Sequence, residues 1–331
     1  MEQYLDFLRR ILEEGSLKEK LRTLHDQVAK LWEITLANDA SARVARDYLA
    51  RRGVSDEAVK RFRMGYAPDK WDNILNWAKS KKHDTKLLEK GGLVIAGDKG
   101  HYDRFRGRLI FPICDEQGRV IGFSGRVLSS EQKGGKYINS PETNFFKKGS
   151  NLYNLDLARK LSNKLDHIYL VEGYMDVVGL SKNGIENVVA NLGTSLTDKQ
   201  ILTLNQFFDD IIICFDGDES GYKAALRAAE NSIRELRPEK QISFLFLPDK
   251  EDPDSYVNKH GKNYFIDFTR QSKLSIHQFI FSHYKKQTEN NPSSMAIFEK
   301  KLRSIANTIK DDFIKKYVLE YFLEKIAELT P

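Results

Sequence analysis

Short apolar runs alternate with helical stretches between residues 165 and 247. The runs are HIYLV (167–171), NVVAN (187–191), IIICF (211–215) and ISFLFL (242–247). Helical periodicity separates them, as in residues 219–236, where Ala225 and Ala229 fall on one face. This alternation predicts βαβ units, and hence a parallel sheet with helices on both faces.

The remainder of the chain follows other patterns. Helices are predicted over residues 2–14, 17–37, 42–52 and 56–62. Gly15 is expected to end the first of them. Residues 92–148 alternate strand-like runs with glycine turns, which predicts an antiparallel sheet, and helical periodicity dominates beyond about residue 275. The predicted fold class is therefore α/β, with α+β character overall.

The composition supports a large folded core. Hydrophobic residues make up 40% of the 331 residues and aromatic residues 11%, which is not a disordered composition. Cys114 and Cys214 form no Cys-x-x-Cys pair, so we expect no zinc in this chain. No signal peptide is recognisable, and no apolar run approaches the roughly eighteen residues of a membrane span. These features predict a cytoplasmic protein.

Positive charge is unevenly distributed. The formal net charge is +6, and between residues 99 and 150 ten Lys or Arg accompany five Asp or Glu. The acidic clusters come later in the chain. A basic surface next to a carboxylate site suggests a polyanionic ligand that is handled together with metal ions.

Carboxylates follow three of the four predicted strands. They are Glu172 and Asp176 in VEGYMD, Asp216 and Asp218 in FDGDES, and Asp252 and Asp254 in PDKEDPDS. The carboxyl ends of parallel strands lie at one edge of the sheet, where ligands bind in such folds. Two carboxylates about 4 Å apart repel by roughly 4 kcal/mol at an effective dielectric near 20. A fold keeps such a cluster with an offsetting charge, and oxygen-only ligands select Mg²⁺ or Mn²⁺.

Simpler explanations exist for each acidic cluster. Asp216 to Gly221 matches the start of an EF-hand loop, but the twelfth position is Arg227 rather than Glu, which excludes that motif. Asp216 and Asp218 could form a plain turn, and Asp254 could cap the following helix. Glu172 could bond only to nearby backbone amides. Three clusters on strand ends of one sheet favour the metal site over these separate explanations.

The arrangement resembles the toprim domain of primases and topoisomerases, and more closely the core of bacterial DnaG-type replicative primases. The resemblance extends from about residue 22 to 275. The segments that carry it, in the family's order, are YDRFRGRLIFPI, GRVIGFSGRVL, YINSPET, FFKKGSNLY, VEGYMDVV, FDGDESG and LPDKEDPDS.

The resemblance implies a reaction and a set of acidic site residues. The reaction is synthesis of short RNA primers on single-stranded DNA from nucleoside triphosphates, by two-metal-ion nucleotidyl transfer during DNA replication. Glu172, Asp216 and Asp218 are then the catalytic metal ligands for Mg²⁺ or Mn²⁺. Asp252 and Asp254 complete or support the second ion, and Asp176 lies behind the ligands.

The basic segment matches positions that the family uses for template and triphosphate. These positions are Arg104, Arg106, Arg108, Arg126, Lys136 and Lys148. A solvated charged face is the alternative for each of them. Tyr137, Phe145 and Phe146 could stack on bases, or pack in the core.

The resemblance also implies a division of the chain and its partners. The segments are a helical extension (1–21), whose native origin stays open, a basic DNA-binding α/β subdomain (22–147), a toprim catalytic subdomain (148–272) and a C-terminal helical subdomain (273–331). The partners are single-stranded DNA, NTPs and the RNA primer–DNA hybrid. Replicative helicase and single-strand-binding protein are expected to bind through domains absent here. We expect a monomer, without membrane contact, at replication forks in the nucleoid.

Three other functions share some of these features. A toprim nuclease of the overcoming-lysogenisation-defect type would use the same carboxylates on water, but no P-loop ATPase domain accompanies them. A type IA topoisomerase needs a nucleophilic Tyr in further domains. A nucleic-acid-binding module with a vestigial metal site would not need the complete carboxylate set.

Overall fold

The computed structural model describes residues 2–129, 135–143, 145–193, 195–248 and 250–329, with side chains from residue 13 onward. Glu131 and Lys133 of the basic segment, and Asp249 of LPDKEDPDS, lie outside the described residues. The chain divides between Lys147 and Lys148 into an N-terminal and a C-terminal unit. The four-part division expected from the sequence is finer than this and stays a prediction.

The N-terminal unit combines helices with antiparallel strands. Its elements are α1 (Glu2–Asn38), α2 (Arg43–Arg51), α3 (Asp56–Arg61), β1 (Gly65–Ala67), α4 (Asn73–Ser80), α5 (Thr85–Lys90), β2 (Val94–Gly97), β3 (Gly100–Asp103), β4 (Arg108–Cys114), β5 (Val120–Val127) and β6 (Tyr137–Asn139). One sheet has the order β1-β4-β5-β6 with antiparallel neighbours, and β2 and β3 form a separate hairpin. The antiparallel sheet predicted for residues 92–148 is confirmed.

Helix α1 packs on this sheet through aromatic side chains. Trp32 is buried, and its ring meets those of Phe105 and Phe123 edge-on at centroid distances of 5.7 and 4.9 Å. Gly65 of β1 permits the close approach, because a Cβ atom there would lie 2.6 Å from the Cβ of Trp32. The core of the N-terminal unit therefore lies between α1 and the sheet.

The predicted helix end at Gly15 is wrong, since α1 runs without a break from Glu2 to Asn38. A glycine inside a helix costs only about 0.5–1 kcal/mol relative to alanine. The neighbouring sequence LEEGSLKEK is rich in strong helix formers and contains no proline. Their combined preference outweighs the single glycine.

A buried carboxylate in the N-terminal unit gives a pH-dependent prediction. Asp103 is 1% exposed and accepts hydrogen bonds from the backbone N–H groups of Ile74 (2.6 Å) and Leu75 (3.2 Å) at the start of α4. Burial raises the pKa of Asp103 to about 6, although these two bonds oppose the rise. The folded protein therefore keeps this proton at a higher pH than the unfolded chain, whose Asp pKa is near 3.9.

Because the folded state holds the extra proton, the free energy of unfolding should fall as the pH rises from about 4 to about 6. A shift of about two pKa units corresponds to about 3 kcal/mol. Asp103→Asn should remove this component, whereas Asp98→Asn, at an exposed turn, should keep it. Urea unfolding across this pH range measures the difference. Parallel curves for wild type and Asp103→Asn would contradict the assignment.

The C-terminal unit contains the parallel sheet. Its elements are α6 (Leu155–Ala158), β7 (His167–Val171), α7 (Tyr174–Lys182), β8 (Val188–Ala190), α8 (Asp198–Asn205), β9 (Asp210–Phe215), α9 (Glu219–Ser232), β10 (Gln241–Phe246), α10 (Pro253–His260), α11 (Lys262–Ser272), β11 (Leu274–Ser275), α12 (Ile276–Lys286), α13 (Pro292–Ala306) and α14 (Asp312–Ala327). The strand order is β11-β10-β9-β7-β8. The four predicted strands are confirmed and are parallel, whereas the short β11 pairs antiparallel with β10.

Helices pack on both faces of this sheet. Ile168 and Leu170 of β7 belong to one buried cluster with residues of α8, α9 and α12. Tyr169, between them, points to the opposite face, and its ring lies 5.4 Å from that of Phe265 on α11. Strands covered on both faces need continuous apolar runs, which explains why IIICF carries no alternating polar positions.

Candidate active site

Glu172 and Asp216 meet at the carboxyl edge of the parallel sheet. In the pairing of β7 with β9, Leu170 lies opposite Ile213, so the two strands end within one residue of each other. The backbone N–H of Asp216 donates to Oε1 of Glu172 at 3.3 Å. The structure therefore brings together the first two acidic residues that the sequence analysis singled out.

Asp218 lies in the same turn and begins helix α9. Its Oδ1 accepts a hydrogen bond from the backbone N–H of Gly221 at 2.7 Å, which caps the helix. A Cβ atom at Gly221 would lie 2.2 Å from the carbonyl oxygen of Asp216, so this turn requires glycine. The sequence FDGDESG thus places two carboxylates at one strand end by forming a tight strand-to-helix turn.

The electrostatics of the edge reflect carboxylate crowding. Burial raises the pKa of Glu172 and the charge of Asp218 raises it further, whereas the Asp216 amide and the Arg227 charge lower it. Asp176 accepts from the Gly173 amide at 3.0 Å. Burial raises the pKa of Asp176 well above its ordinary value, and the charges of the neighbouring acidic residues Asp216, Asp252 and Asp254 add to the rise. These groups destabilise one another's charged forms, so a bound cation would stabilise the ionised site.

The last two predicted ligands have different surroundings. Asp252 caps α10 and accepts from the backbone N–H of Ser255 at 2.6 Å. Asp254 is 3% exposed, accepts from Nδ2 of Asn258 at 2.7 Å, and lies 3.6 Å from Nζ of Lys182. Asp254 thus links α10 to α7. It does not merely cap α10, because Asp252 occupies the capping position. A metal-binding role for either residue stays a prediction.

The donor set of this edge fits a hard divalent cation, because Glu172, Asp216, Asp218 and Asp252 offer only carboxylate oxygens. Within the described part of the chain, no three His, Cys, Asp or Glu side chains are grouped closely enough to hold a metal ion. The side chains would have to rotate toward a common centre to bind one. The chemistry of the residues fits the ion, while the ligand geometry is not assembled in this structure.

Of the predicted basic residues, Arg108 is the most buried. It is 5% exposed, and its guanidinium donates to the carbonyl oxygens of Gly125 (3.0 Å) and Gly135 (3.2 Å). These two bonds hold the guanidinium against the backbone of the sheet. A contact of Arg108 with template or triphosphate stays a prediction.

The other basic positions are more accessible. Arg104 donates to the carbonyl oxygen of Asn139, and Arg106 lies over the ring of Trp71, 4.0 Å from its centroid. Lys136 is exposed and Lys148 is partly buried. Their contact with template or triphosphate stays a prediction.

Arg126 is held in place by two tyrosines. Its guanidinium lies over the ring of Tyr48 (4.7 Å to the centroid) and donates to the hydroxyl of Tyr137 at 2.9 Å. Phe146, by contrast, is fully buried, and Phe145 packs against the core. The two phenylalanines are therefore core residues, and only Tyr137 remains a candidate for stacking on bases.

Two residues beside Glu172 were not recognised as site residues from the sequence. Asn191 follows β8 at the same edge of the sheet, and Arg227 lies on α9. Both line a cavity of about 240 Å³ together with Glu172 and Phe215. The strand-end rule that found the carboxylates also applies to Asn191, the last residue of NVVAN. Arg227 gave no such signal, because a single arginine in a helix is usually solvated.

Comparison with known proteins agrees with these features. A profile described as "DNA primase catalytic core, N-terminal domain" matches residues 32–159, and a toprim domain profile matches residues 166–246. A DNA primase of Legionella pneumophila is 44% identical over 255 residues, which cover 76% of this chain and 43% of that protein. The chain therefore spans less than half the length of that relative.

Two solved structures cover nearly the whole chain. A DNA primase domain from Pseudomonas aeruginosa has a TM-score of 0.86 and 36% identity, covering 94% of this chain and 96% of that one. A DnaG primase catalytic domain bound to single-stranded DNA has a TM-score of 0.85 and 36% identity, covering 94% and 99%.

The parallel sheet and its acidic edge define a toprim domain, a class that is generally metal-dependent. Joined to the N-terminal primase domain, they place the chain more narrowly: it belongs to the DnaG-type primase catalytic-core family. The resemblance and the α/β fold class inferred from the sequence are confirmed. In the part of the chain that the structure describes, no helix is long and apolar enough to cross a membrane.

Proposed function

We propose that this chain synthesises short RNA primers on single-stranded DNA from nucleoside triphosphates, as a primase-type DNA-directed RNA polymerase of DNA replication. The observation that carries the proposal is the contact between Glu172 and the Asp216 amide, with Asp218 in the same turn, at the carboxyl edge of the toprim sheet. The relative described as bound to single-stranded DNA supports the choice of template.

Glu172, Asp216 and Asp218 would hold Mg²⁺ or Mn²⁺, and Asp252 and Asp254 would complete or support a second ion. When bound, two such ions stabilise the attacking and leaving oxygens of a phosphoryl transfer. The protein's own residues position the site: the Asp216 amide orients Glu172, and Gly221 fixes the turn that carries Asp218. Asp176, buried behind these groups, bonds the amide of Gly173 and so fixes the loop that follows Glu172.

A primer-synthesis assay on single-stranded DNA tests this function against its rivals. Wild-type protein with NTPs and Mg²⁺ or Mn²⁺ should yield short, RNase-sensitive products, and a chelator should abolish them. Cleavage of the DNA without synthesis would instead support a toprim nuclease. Binding without either reaction would support a nucleic-acid-binding module with a vestigial site.

The basic residues between positions 99 and 150 give a second test. If Lys136 contacts a template phosphate, Lys136→Ala should weaken binding of single-stranded DNA at low salt. It should also flatten the dependence of log K on log[salt] by about 0.7. Arg126→Gln and Lys148→Ala should behave in the same way. The measurement is DNA affinity at several salt concentrations.

Lys81→Ala is the matched control, because Lys81 is an exposed lysine that lies outside the strand-rich segment. A general attraction that depends only on net charge would weaken binding equally in all four variants. If the slope of log K against log[salt] is the same in all four variants, the template does not contact Arg126, Lys136 or Lys148.

The remaining assignments follow the family. We propose that the RNA primer–DNA hybrid is also bound, that the replicative helicase and single-strand-binding protein are partners, and that the protein acts as a monomer at replication forks in the cytoplasm. The sequence division into 1–21, 22–147, 148–272 and 273–331 belongs to the same proposal.

A further inference from the structure

A set of polar groups that the carboxylate chemistry does not use lies next to Glu172. The cavity of about 240 Å³ is lined by Glu172, Asn191, Ser195, Leu196, Phe215 and Arg227, with Gly193 and Ala224. Sites that enclose a drug-sized ligand usually measure about 300–1,000 Å³. The cavity thus suits part of a nucleotide, such as its sugar and one phosphate, rather than a whole one.

Asn191, which lines this cavity, has a side-chain acceptor without a donor. The residue is only 6% exposed, and its Oδ1 atom is buried without a donor among the described residues. Buried side-chain polar atoms in proteins nearly always have a partner. Since Asn191 is one of the residues that line the cavity, a ligand bound there can supply the missing donor.

Arg227 supplies a cation that is not held in an ion pair. Its side chain is exposed, and it forms no ion pair or hydrogen bond with any residue that the structure describes. One turn earlier on α9, Lys223 is already paired with Glu219. Guanidinium groups bind phosphate oxygens in pairs and with defined geometry. Arg227 is therefore suited to a phosphate held next to Glu172.

We propose that this cavity is a ribonucleotide subsite, in which Asn191 Oδ1 accepts a hydrogen bond from a ribose hydroxyl and Arg227 contacts a phosphate of the same nucleotide. The inference rests on the proposed primer synthesis and adds the residues that select ribonucleotides. A hydroxyl donor distinguishes a ribonucleotide from its deoxy analogue. A site built to bond a substrate hydroxyl rejects an analogue that lacks it, because its own polar group is then left unpaired.

Nucleotide binding by the full chain tests the subsite. The probes are ATP, 2′-deoxy-ATP and 3′-deoxy-ATP with Mg²⁺. We expect wild type to bind 2′-deoxy-ATP about tenfold more weakly than ATP, and 3′-deoxy-ATP about as tightly as ATP, because only the 2′-hydroxyl marks a ribonucleotide. Asn191→Leu, which is similar in size but cannot accept a hydrogen bond, should bind all three equally and ATP about tenfold more weakly. A wild type without preference, or an Asn191→Leu variant that keeps it, would overturn the assignment.

Arg227 has its own matched control. Arg227→Gln should weaken the binding of all three nucleotides about tenfold while keeping the preference for the hydroxyl. Lys223→Gln removes the same charge from the same helix, but it should change neither the affinity nor the preference. If the two substitutions had equal effects, Arg227 would act only through its charge, and the proposed phosphate contact would be wrong.

The folding of the variants is measured by their melting temperatures, and the proposed function is measured separately by primer synthesis. Asn191→Leu should melt at or above the wild-type temperature, because it removes a buried polar atom that has no partner. If wild type synthesises primers but Asn191→Leu still discriminates between the nucleotides, only the subsite is wrong. If wild type synthesises no primers, the proposed function itself fails.

Discussion

Glu172→Gln and Asp216→Asn should each lower nucleotide incorporation by about a thousandfold or more. A thousandfold loss corresponds to about 4 kcal/mol of transition-state stabilisation, which is the scale of what a bound metal ion supplies to a phosphoryl transfer. Each substitution removes one ligand charge but keeps the shape of the side chain. Glu172→Gln also keeps an oxygen that can accept from the Asp216 amide. The loss is measured as the rate of labelled NTP incorporation on single-stranded DNA.

In the absence of metal, the same two substitutions should not lower the stability of the protein. Because burial and, to a smaller extent, neighbouring carboxylates destabilise the charged forms of Glu172 and Asp176, removing one negative charge should leave the melting temperature unchanged or raise it. Added Mg²⁺ or Mn²⁺ should stabilise wild type by preferential binding to the folded state. The melting temperatures of the two variants should rise much less on addition of metal.

Asp267→Asn is the control for a general effect of charge. Asp267 lies exposed on α11, where it faces Arg270 at 3.5 Å, and its substitution should leave incorporation and the metal response unchanged. Near wild-type incorporation by Glu172→Gln or Asp216→Asn would remove these residues from the catalytic site. An equal loss in Asp267→Asn would show that the effect does not depend on position.

The parallel sheet and its acidic edge could be predicted because their signals are local. A strand buried on both faces requires a continuous apolar run, as in IIICF, and a strand end is visible where Asp216 interrupts that run. The topology then brings distant strand ends together, so Glu172 and Asp216 could be assigned to one site although they lie 44 positions apart.

The features that sequence reasoning missed depend on contacts between distant segments. Nothing near Arg108 in the sequence indicates that its guanidinium bonds the carbonyl oxygens of Gly125 and Gly135. Asp254 was expected at the metal site, but its approach to Lys182 becomes visible only when α10 lies on α7. In both cases the residue type was recognised, while its partner came from the tertiary fold.

The contact between α7 and α10 explains why a glycine stands in the middle of α7. A Cβ atom at Gly179 would lie 2.2 Å from Oδ1 and 2.6 Å from Cβ of Asp254. The second of these distances involves an atom fixed to the backbone, so a rotation of the Asp254 side chain cannot relieve the overlap. Helix α10 would have to move away from α7, and Asp252 at its N-terminus would move with it.

Gly179→Ala should therefore destabilise the protein and lower its activity together. Overpacking of this kind typically costs about 1–3 kcal/mol, which exceeds the 0.5–1 kcal/mol or so that alanine gains in a helix. For a unit of this size each kcal/mol lowers the melting temperature by about 2–4 °C. We expect primer synthesis to fall about tenfold as well, because Asp252 is displaced from the carboxylate edge. Thermal unfolding and the incorporation assay measure the two effects.

Gly15→Ala provides the matched comparison, since Gly15 also lies inside a helix but a Cβ atom there would meet nothing within 4 Å. That substitution should raise stability slightly and leave activity unchanged, because only helix propensity changes. If Gly179→Ala behaved like Gly15→Ala, α10 would not be held against α7 as closely as the structure shows. Loss of stability in Gly179→Ala with full activity would separate α10 from the catalytic edge, and Asp252 would then have no part in binding the metal.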